Sequence, residues 1–292
     1  MVDGPGFAAR TDIGLQRADN EDSFLARSPL FVVADGMGGH EAGEVASRLA
    51  VTILAEATEA TLVPEPDQVV AAIERSNLEI RSEARRHTEM AGMGTTCTAL
   101  VIAERIRIAH VGDSRAYRFR DGRLERLTDD HSLVATMVRE GLLDPAAART
   151  DGRRNIVTRA LGAEDAVRID RIDTDRASGD RLVLSTDGLH GQIDDAEIAA
   201  ALAEAPTPAA AADRLVRLAN AAGGDDNVTV IVIDVDLLDD AARADDARET
   251  PTGSTGAPRP RRRRRWVVAL LVVVVLVAIG SALVILATRG GQ

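Results

Sequence analysis

The chain has 292 residues, with 46 acids, 35 basic residues, a single cysteine and no lysine. Its length supports one domain or at most two, and the lone Cys97 excludes an intrachain disulfide and suits a reducing compartment. Without lysine neither a Walker phosphate loop nor a protein-kinase fold can be built, and the first 258 residues carry 28 arginines against 46 acids, a net charge of −18 that argues against a nucleic-acid surface.

In chain order, Met1 to Phe7 lack a basic stretch followed by an apolar core, so no secretory signal is expected. Arg10 to Asp22, R-T-D-I-G-L-Q-R-A-D-N-E-D, reads as a charged loop. Val32 to His40, V-V-A-D-G-M-G-G-H, is an apolar run that ends on Asp35 and passes into glycines. Helical spacing follows over Glu41 to Ala57 and again over Val69 to Ala84. From Gly94 the pattern turns to strand: Thr95 to Ala103 and Ile106 to Val111 form one hairpin, and Ala116 to Phe119 with Leu124 to Leu127 form another around Asp121-Gly122. Ser132 to Arg154 carries one short helical stretch and then a mobile excursion. Strand character resumes at Arg181 to Ser185, two alanine-rich helices are predicted within Asp195 to Ala222, and Val228 to Val235 closes the core as an apolar strand. Hairpins separated by paired helices do not fit a doubly wound parallel sheet, so an α+β fold with antiparallel sheets is predicted.

This predicted domain, residues 1–237, is followed by a linker over 238–265 that ends in five arginines. Trp266 to Ala287 is an uncharged run of 22 residues, about 33 Å as a helix and long enough for a bilayer core of roughly 30 Å. A C-terminal transmembrane helix is therefore predicted, with Arg261 to Arg265 and everything before them cytoplasmic and only residues 288–292 on the far side.

Four carboxylates, Asp35, Asp113, Asp187 and Asp226, lie at the ends of apolar runs, which suggests one convergent site. The five histidines occur singly, without an H-x-x-x-H pair, so an oxygen-rich site for Mg²⁺ or Mn²⁺ is favoured over zinc. Such a site can hold two metals about 3.5 to 4 Å apart and supply a hydroxide near neutral pH for attack on phosphorus. The phosphate oxygens then need positive donors, and here only arginine can provide them. Taken singly, each residue has a plainer reading: an aspartate before glycine is usually a turn, Arg17 a solvated arginine, Asp226-Asn227 a cap. Recurrence along the chain is what favours the site. Cys97 is expected to be packed inside, and the arginine a cysteine phosphatase needs six residues on falls at Ala103.

The ordered set R-x-D-x-G-x-x-R-x-x-N-E-D (Arg10 to Asp22), V-A-D-G-M-G-G-H (Val33 to His40), G-T-T-C-T-A-L (Gly94 to Leu100), H-V-G-D-S-R (His110 to Arg115), T-x-D-H-S (Thr128 to Ser132), R-A-L-G (Arg159 to Gly162), S-T-D-G-L (Ser185 to Leu189) and D-D-N-V-T (Asp225 to Thr229) resembles the PPM, or type 2C, metal-dependent serine/threonine protein phosphatases, and within them the bacterial membrane-anchored branch. The resemblance spans about Phe7 to Val235. It implies an α-β-β-α sandwich of two antiparallel sheets flanked by helix pairs, with Mn²⁺ or Mg²⁺ in a cleft at one end. It also implies that Asp35 bridges two metals, that the Gly36 carbonyl helps hold one, that Asp187 and Asp226 complete the second, and that Asp113 joins Asp187 in a third site. Glu21 and Asp22 would orient metal-bound waters, Arg17 would bind the substrate phosphate, and Asn227 would position a ligand or water. Eukaryotic members carry histidine after D-G; here that residue is Met37, and His40 is the candidate replacement as proton donor. Ser132 to Thr158 would be the family's variable flap. The partners implied are phosphorylated proteins, among them serine/threonine kinases and their substrates. Two other functions use the same residues: a degenerate phosphatase serving as a phosphoprotein-binding membrane adaptor, and a metal-dependent phosphodiesterase, which the net charge and scarcity of aromatics disfavour.

Overall fold

The computed structural model describes residues 1–39 and 42–249. His40, the predicted linker from Thr250, the predicted span Trp266 to Ala287 and the tail after it lie outside these residues. In chain order the elements are β1 (Val2–Gly4), β2 (Phe7–Asp12), β3 (Asp22–Arg27), β4 (Leu30–Met37), α1 (Ala42–Thr58), α2 (Pro66–Arg86), β5 (Gly94–Thr95), β6 (Cys97–Ile102), β7 (Ile106–Val111), β8 (Arg115–Arg120), β9 (Arg123–Arg126), α3 (Leu133–Arg139), α4 (Pro145–Ala148), β10 (Asp170–Thr174), β11 (Arg181–Ser185), α5 (Asp187–His190), α6 (Asp195–Glu204), α7 (Pro208–Ala222), β12 (Val228–Asp234) and α8 (Val235–Glu249).

Two antiparallel sheets result, one ordered β1-β2-β12-β11-β8-β9 and the other β10-β7-β6-β4-β3, with β5 paired to β4. The period of two along each strand divides the apolar residues among three cores. On β4, Leu30 and Val32 face α1 and α2 while Phe31 and Val33 face the opposite sheet. On β12, Val228, Val230 and Val232 face α5, α6 and α7 while Ile231 and Ile233 fill the space between the sheets. Burial on both faces explains why these central strands read as continuous apolar runs. The layers are therefore helix, sheet, sheet, helix, as the resemblance implies.

The Asp121-Gly122 hairpin forms as predicted, with both residues at positive φ, 51° and 75°, the twist a two-residue hairpin turn needs. Cys97 is packed against the α1–α2 side. Three stretches differ from the sequence reading. Phe7–Asp12 is a strand between β1 and β12, so only the latter part of the predicted charged loop is loop. Asp170–Thr174 pairs with β7 as an edge strand whose alternating charges conceal it in the sequence. The folded part also runs past residue 237: α8 continues to Glu249 and buries Val235 and Leu238 in the core between the sheets, where the sequence predicts a linker from 238. Among the described residues no helix is long and apolar enough to cross a membrane.

Candidate metal centre

Antiparallel pairing brings alternate strand ends together, which gathers the carboxylates at one end of the sandwich. In the β3–β4 pair, Asp22 stands directly opposite Asp35. Thr96 N–H donates to the Asp35 carbonyl at 2.9 Å and the Thr96 hydroxyl accepts from Asp35 N–H at 2.9 Å, tying the end of β4 to the start of β6. Asp113 lies in the β7–β8 connection, and the neighbouring Ser114 hydroxyl meets the Thr96 hydroxyl at 2.7 Å. In the other sheet, Asp187 opens α5 at the end of β11, and Asp226 lies two residues before β12.

Like charges opposite one another in a sheet are destabilising, and crowding of carboxyls favours their protonated forms. The carboxyls of Asp22, Asp35, Asp113 and Asp187 are all held above the ordinary carboxylate range, first by burial and also by the charge of neighbouring aspartates, Asp226 in the case of Asp187. Asp22 Oδ2 accepts the Thr186 hydroxyl at 2.8 Å, but Asp22 Oδ1 and Asp187 Oδ1 are buried with no hydrogen-bond partner. Unpartnered buried carboxylate oxygens are rare, because each costs its full desolvation. A hard divalent cation answers that deficit, and the all-oxygen donor set suits Mg²⁺ or Mn²⁺. Among the described residues no three acidic, histidine or cysteine side chains are drawn together into a ready ligand group.

The backbone makes room for the site. Gly36 N–H donates to the Glu21 carbonyl at 3.2 Å, and a Cβ on Gly36 would collide with the Gly43 carbonyl at the start of α1. The Glu21 carboxylate lies beside Gly43, with its pKa raised by burial. The Glu21 carbonyl also accepts the Ser47 hydroxyl at 2.6 Å, so α1 is locked onto the loop before β3.

Arg17 reaches the site from the Ile13 to Glu21 loop, and its Nη2 donates to Asp226 Oδ2 at 2.7 Å. Asn227 corrects the sequence reading. Rather than facing a ligand, its Oδ1 accepts Glu21 N–H at 2.8 Å, while its Nδ2 donates to the Ile13 and Asp19 carbonyls, each at 2.9 Å. All three contacts are to loop backbone, so the side chain staples the Arg17 loop to β12. The structure thus brings Arg17, Glu21, Asp22, Asp35, Gly36, Asp113, Asp187 and Asp226 to one end of the fold.

Sequence reasoning missed the supporting residues. Thr186 bridges the two sheets through Asp22 and also accepts Thr229 N–H at 2.9 Å. Beside Asp113, Asp130 takes Arg115 bidentately at 2.6 and 2.9 Å. Burial would raise the Asp130 carboxyl, but the Arg115 charge prevails and holds it down at about 2. His131 Nδ1 accepts Gly112 N–H at 3.0 Å, which leaves its Nε2 proton for Asp170 at 3.1 Å and fixes the tautomer; Arg159, near the same nitrogen, is satisfied instead by Asp170 Oδ1 at 2.8 Å. A signal for Thr186 existed in S-T-D-G-L, but a hydroxyl before an aspartate is too common to single out.

Comparison with known proteins places these motifs in a family. Residues 14–226 match the model described as protein phosphatase 2C. The chain is 42% identical over 235 residues to the serine/threonine protein phosphatase PstP of Mycobacterium tuberculosis, covering 78% of this chain and 45% of that protein, so it spans about half the length of that relative. It is 36% identical over 240 residues to the serine/threonine phosphatase stp of Listeria innocua, covering 78% of this chain and 95% of the relative. Among solved structures, the catalytic domain of the phosphatase PstP in complex with two manganese ions superposes with a TM-score of 0.70 at 41% identity, over 78% of this chain and 96% of that one. Stp1 of Staphylococcus aureus gives 0.74 at 34% identity, over 80% and 96%.

Proposed function

We propose that this chain, which belongs to the protein phosphatase 2C family, hydrolyses phosphoserine and phosphothreonine in proteins with two divalent cations, Mn²⁺ or Mg²⁺. The observation that carries this reading is the pair of buried, unpartnered carboxylate oxygens on Asp22 and Asp187 within a cluster of like charges. Asp35, Asp187, Asp226 and the Gly36 carbonyl would hold the pair of ions, and Asp113 with Asp187 would hold a third. When bound, such ions polarise phosphate oxygens and lower the pKa of a coordinated water. The chain's own residues do the rest. Asp22 and Glu21 accept hydrogen bonds from waters at the site and orient them. Arg17, on a loop held by Asn227, presents a planar fork to the phosphate oxygens.

The proposal extends to location and partners. The uncharged run of 22 residues behind five arginines supports a single membrane span with the catalytic domain on the cytoplasmic face. Serine/threonine kinases and their substrates at that membrane are then the substrates nearest to hand.

The test is phosphate release from a phosphothreonine peptide by the full chain. Activity is expected with Mn²⁺ and is lost in excess EDTA and in Asp187→Asn, which folds normally by circular dichroism. Turnover in EDTA, or undiminished turnover in Asp187→Asn, refutes the reading. For location, the chain is expected to stay with membranes through a carbonate wash; recovery in the supernatant refutes the anchor.

A further inference from the structure

Almost every arginine near the site is committed to a carboxylate: Arg17 to Asp226, Arg115 and Arg126 to Asp130, Arg153 to Asp151 and Arg159 to Asp170. Three are not. Arg139 ends α3, Arg149 follows α4, and Arg154 lies in the turn beyond. Among the described residues none of the three makes an ion pair, although acids outnumber arginines along the whole chain. Arg139 reaches only the Asp130 carbonyl, at 3.3 Å, and the Thr136 hydroxyl, at 3.1 Å.

These three arginines line one cleft of about 280 Å³, together with residues of α3 and α4 and with Asp113 and Asp187. The carboxylates in its wall are few. Asp130 is already engaged by Arg115, and Asp113 and Asp187 are the aspartates that the proposed function assigns to cations, which leaves Asp129 as the remaining acid. Five arginines and four aspartates thus line the cleft, and three of the arginines make no ion pair among the described residues. The floor carries His190, whose Nδ1 is buried without a partner. Exposed arginines are ordinarily solvated, and a scattered trio would call for nothing more. Here all three line one cavity that Asp113 and Asp187 of the candidate metal centre also line.

We propose that this cleft is a subsite for a second anionic group on the substrate protein, so that the preferred substrates are segments carrying a phosphoryl or carboxylate group near the phosphoresidue being hydrolysed. Guanidinium forks suit both anions, and the doubly charged phosphoryl group gains more from them. The proposal rests on the phosphatase reading and deepens it by naming the substrate class.

The experiment uses the full chain with Mn²⁺ and three sets of phosphothreonine peptides, alike except at one neighbouring position. That position holds phosphothreonine, glutamate or glutamine, in a series of spacings, and mass spectrometry records which phosphate leaves. At the best spacing kcat/KM for the doubly phosphorylated peptide is expected to exceed that of the glutamine peptide by about tenfold, and the advantage should shrink with added salt. Arg139→Ala/Arg149→Ala/Arg154→Ala should abolish the preference while leaving p-nitrophenyl phosphate turnover unchanged, and the corresponding lysine triple variant should keep most of it. A preference shared by the glutamate peptide assigns the subsite to acidic segments in general; one confined to the second phosphate assigns it to multiply phosphorylated segments. Equal kcat/KM for all three peptides at every spacing, or equal losses on peptides and p-nitrophenyl phosphate in the alanine variant, overturns the subsite alone. Absence of metal-dependent turnover on every peptide overturns the phosphatase reading instead.

Discussion

Asn227→Ala tests whether the loop carrying Arg17 is held by one side chain. The wild-type amide is 4% exposed and joins three backbone groups, Glu21 N–H, the Ile13 carbonyl and the Asp19 carbonyl. A net hydrogen bond is worth about 1 kcal/mol, and leaving a buried partner unsatisfied costs about 1–3 kcal/mol. Water can reach part of the loop, so the expected loss is about 2–4 kcal/mol rather than the full sum. Because Arg17 lies between two of the anchored residues, its guanidinium should wander and KM for a phosphopeptide should rise more than kcat falls. Stability is read by urea unfolding followed by far-ultraviolet circular dichroism, since the only tryptophan, Trp266, lies beyond the domain. An unchanged midpoint together with an unchanged KM would refute the staple.

Gly36→Ala should cost about 1–3 kcal/mol and reduce turnover, because its Cβ would drive the end of β4 away from the Gly43 carbonyl; a variant as stable and active as wild type contradicts that close approach. His110 gives a pH signature. It is buried, its ring tilted by 38° to that of His131 with centroids 4.7 Å apart, and bonded to the Thr98 hydroxyl and the Asp129 carbonyl. Burial, and next the nearby His131, lower its pKa from 6.5 to about 4, against the opposing charges of Asp130 and Asp170. Between these values the unfolded chain binds a proton that the folded chain refuses. Stability is therefore full above about pH 6.5, declines as pH falls towards 4 by about 3 kcal/mol from this residue, and levels off below. His110→Gln should flatten that slope in urea titrations across the interval, and an unaltered slope assigns the acid sensitivity elsewhere.

The sequence marked the candidate site more plainly than its supports. Asp35, Asp113, Asp187 and Asp226 stood out because each lies at one end of an apolar run, and burial on both faces makes such runs conspicuous. The Asp121-Gly122 turn was legible because few dipeptides suit two successive positive φ values. What stayed hidden depended on tertiary partners. β10 pairs on one side only, so its solvent-facing charges mask the alternation. Asn227 looks like a ligand next to Asp226, and only the fold shows loop carbonyls around its amide. The start of α8 resembles a linker because its acids face outward, yet Val235 and Leu238 are pinned in the core. Thr96 and Thr186 act through backbone and hydroxyl contacts that leave no periodic trace.

The placement of β12 has a consequence for how the protein comes into being. Synthesis runs from the N-terminus, yet the last strand among the described residues is flanked by β2 and β11 in the interior of its sheet. Until Val228–Asp234 leaves the ribosome, β2 and β11 have open edges where the strand belongs, of the kind that invite wrong pairing. Asp226 and the Asn227 staple arrive with that same strand. The nascent chain is thus unable to assemble its metal site early, and fold and catalytic competence are completed together by one late segment.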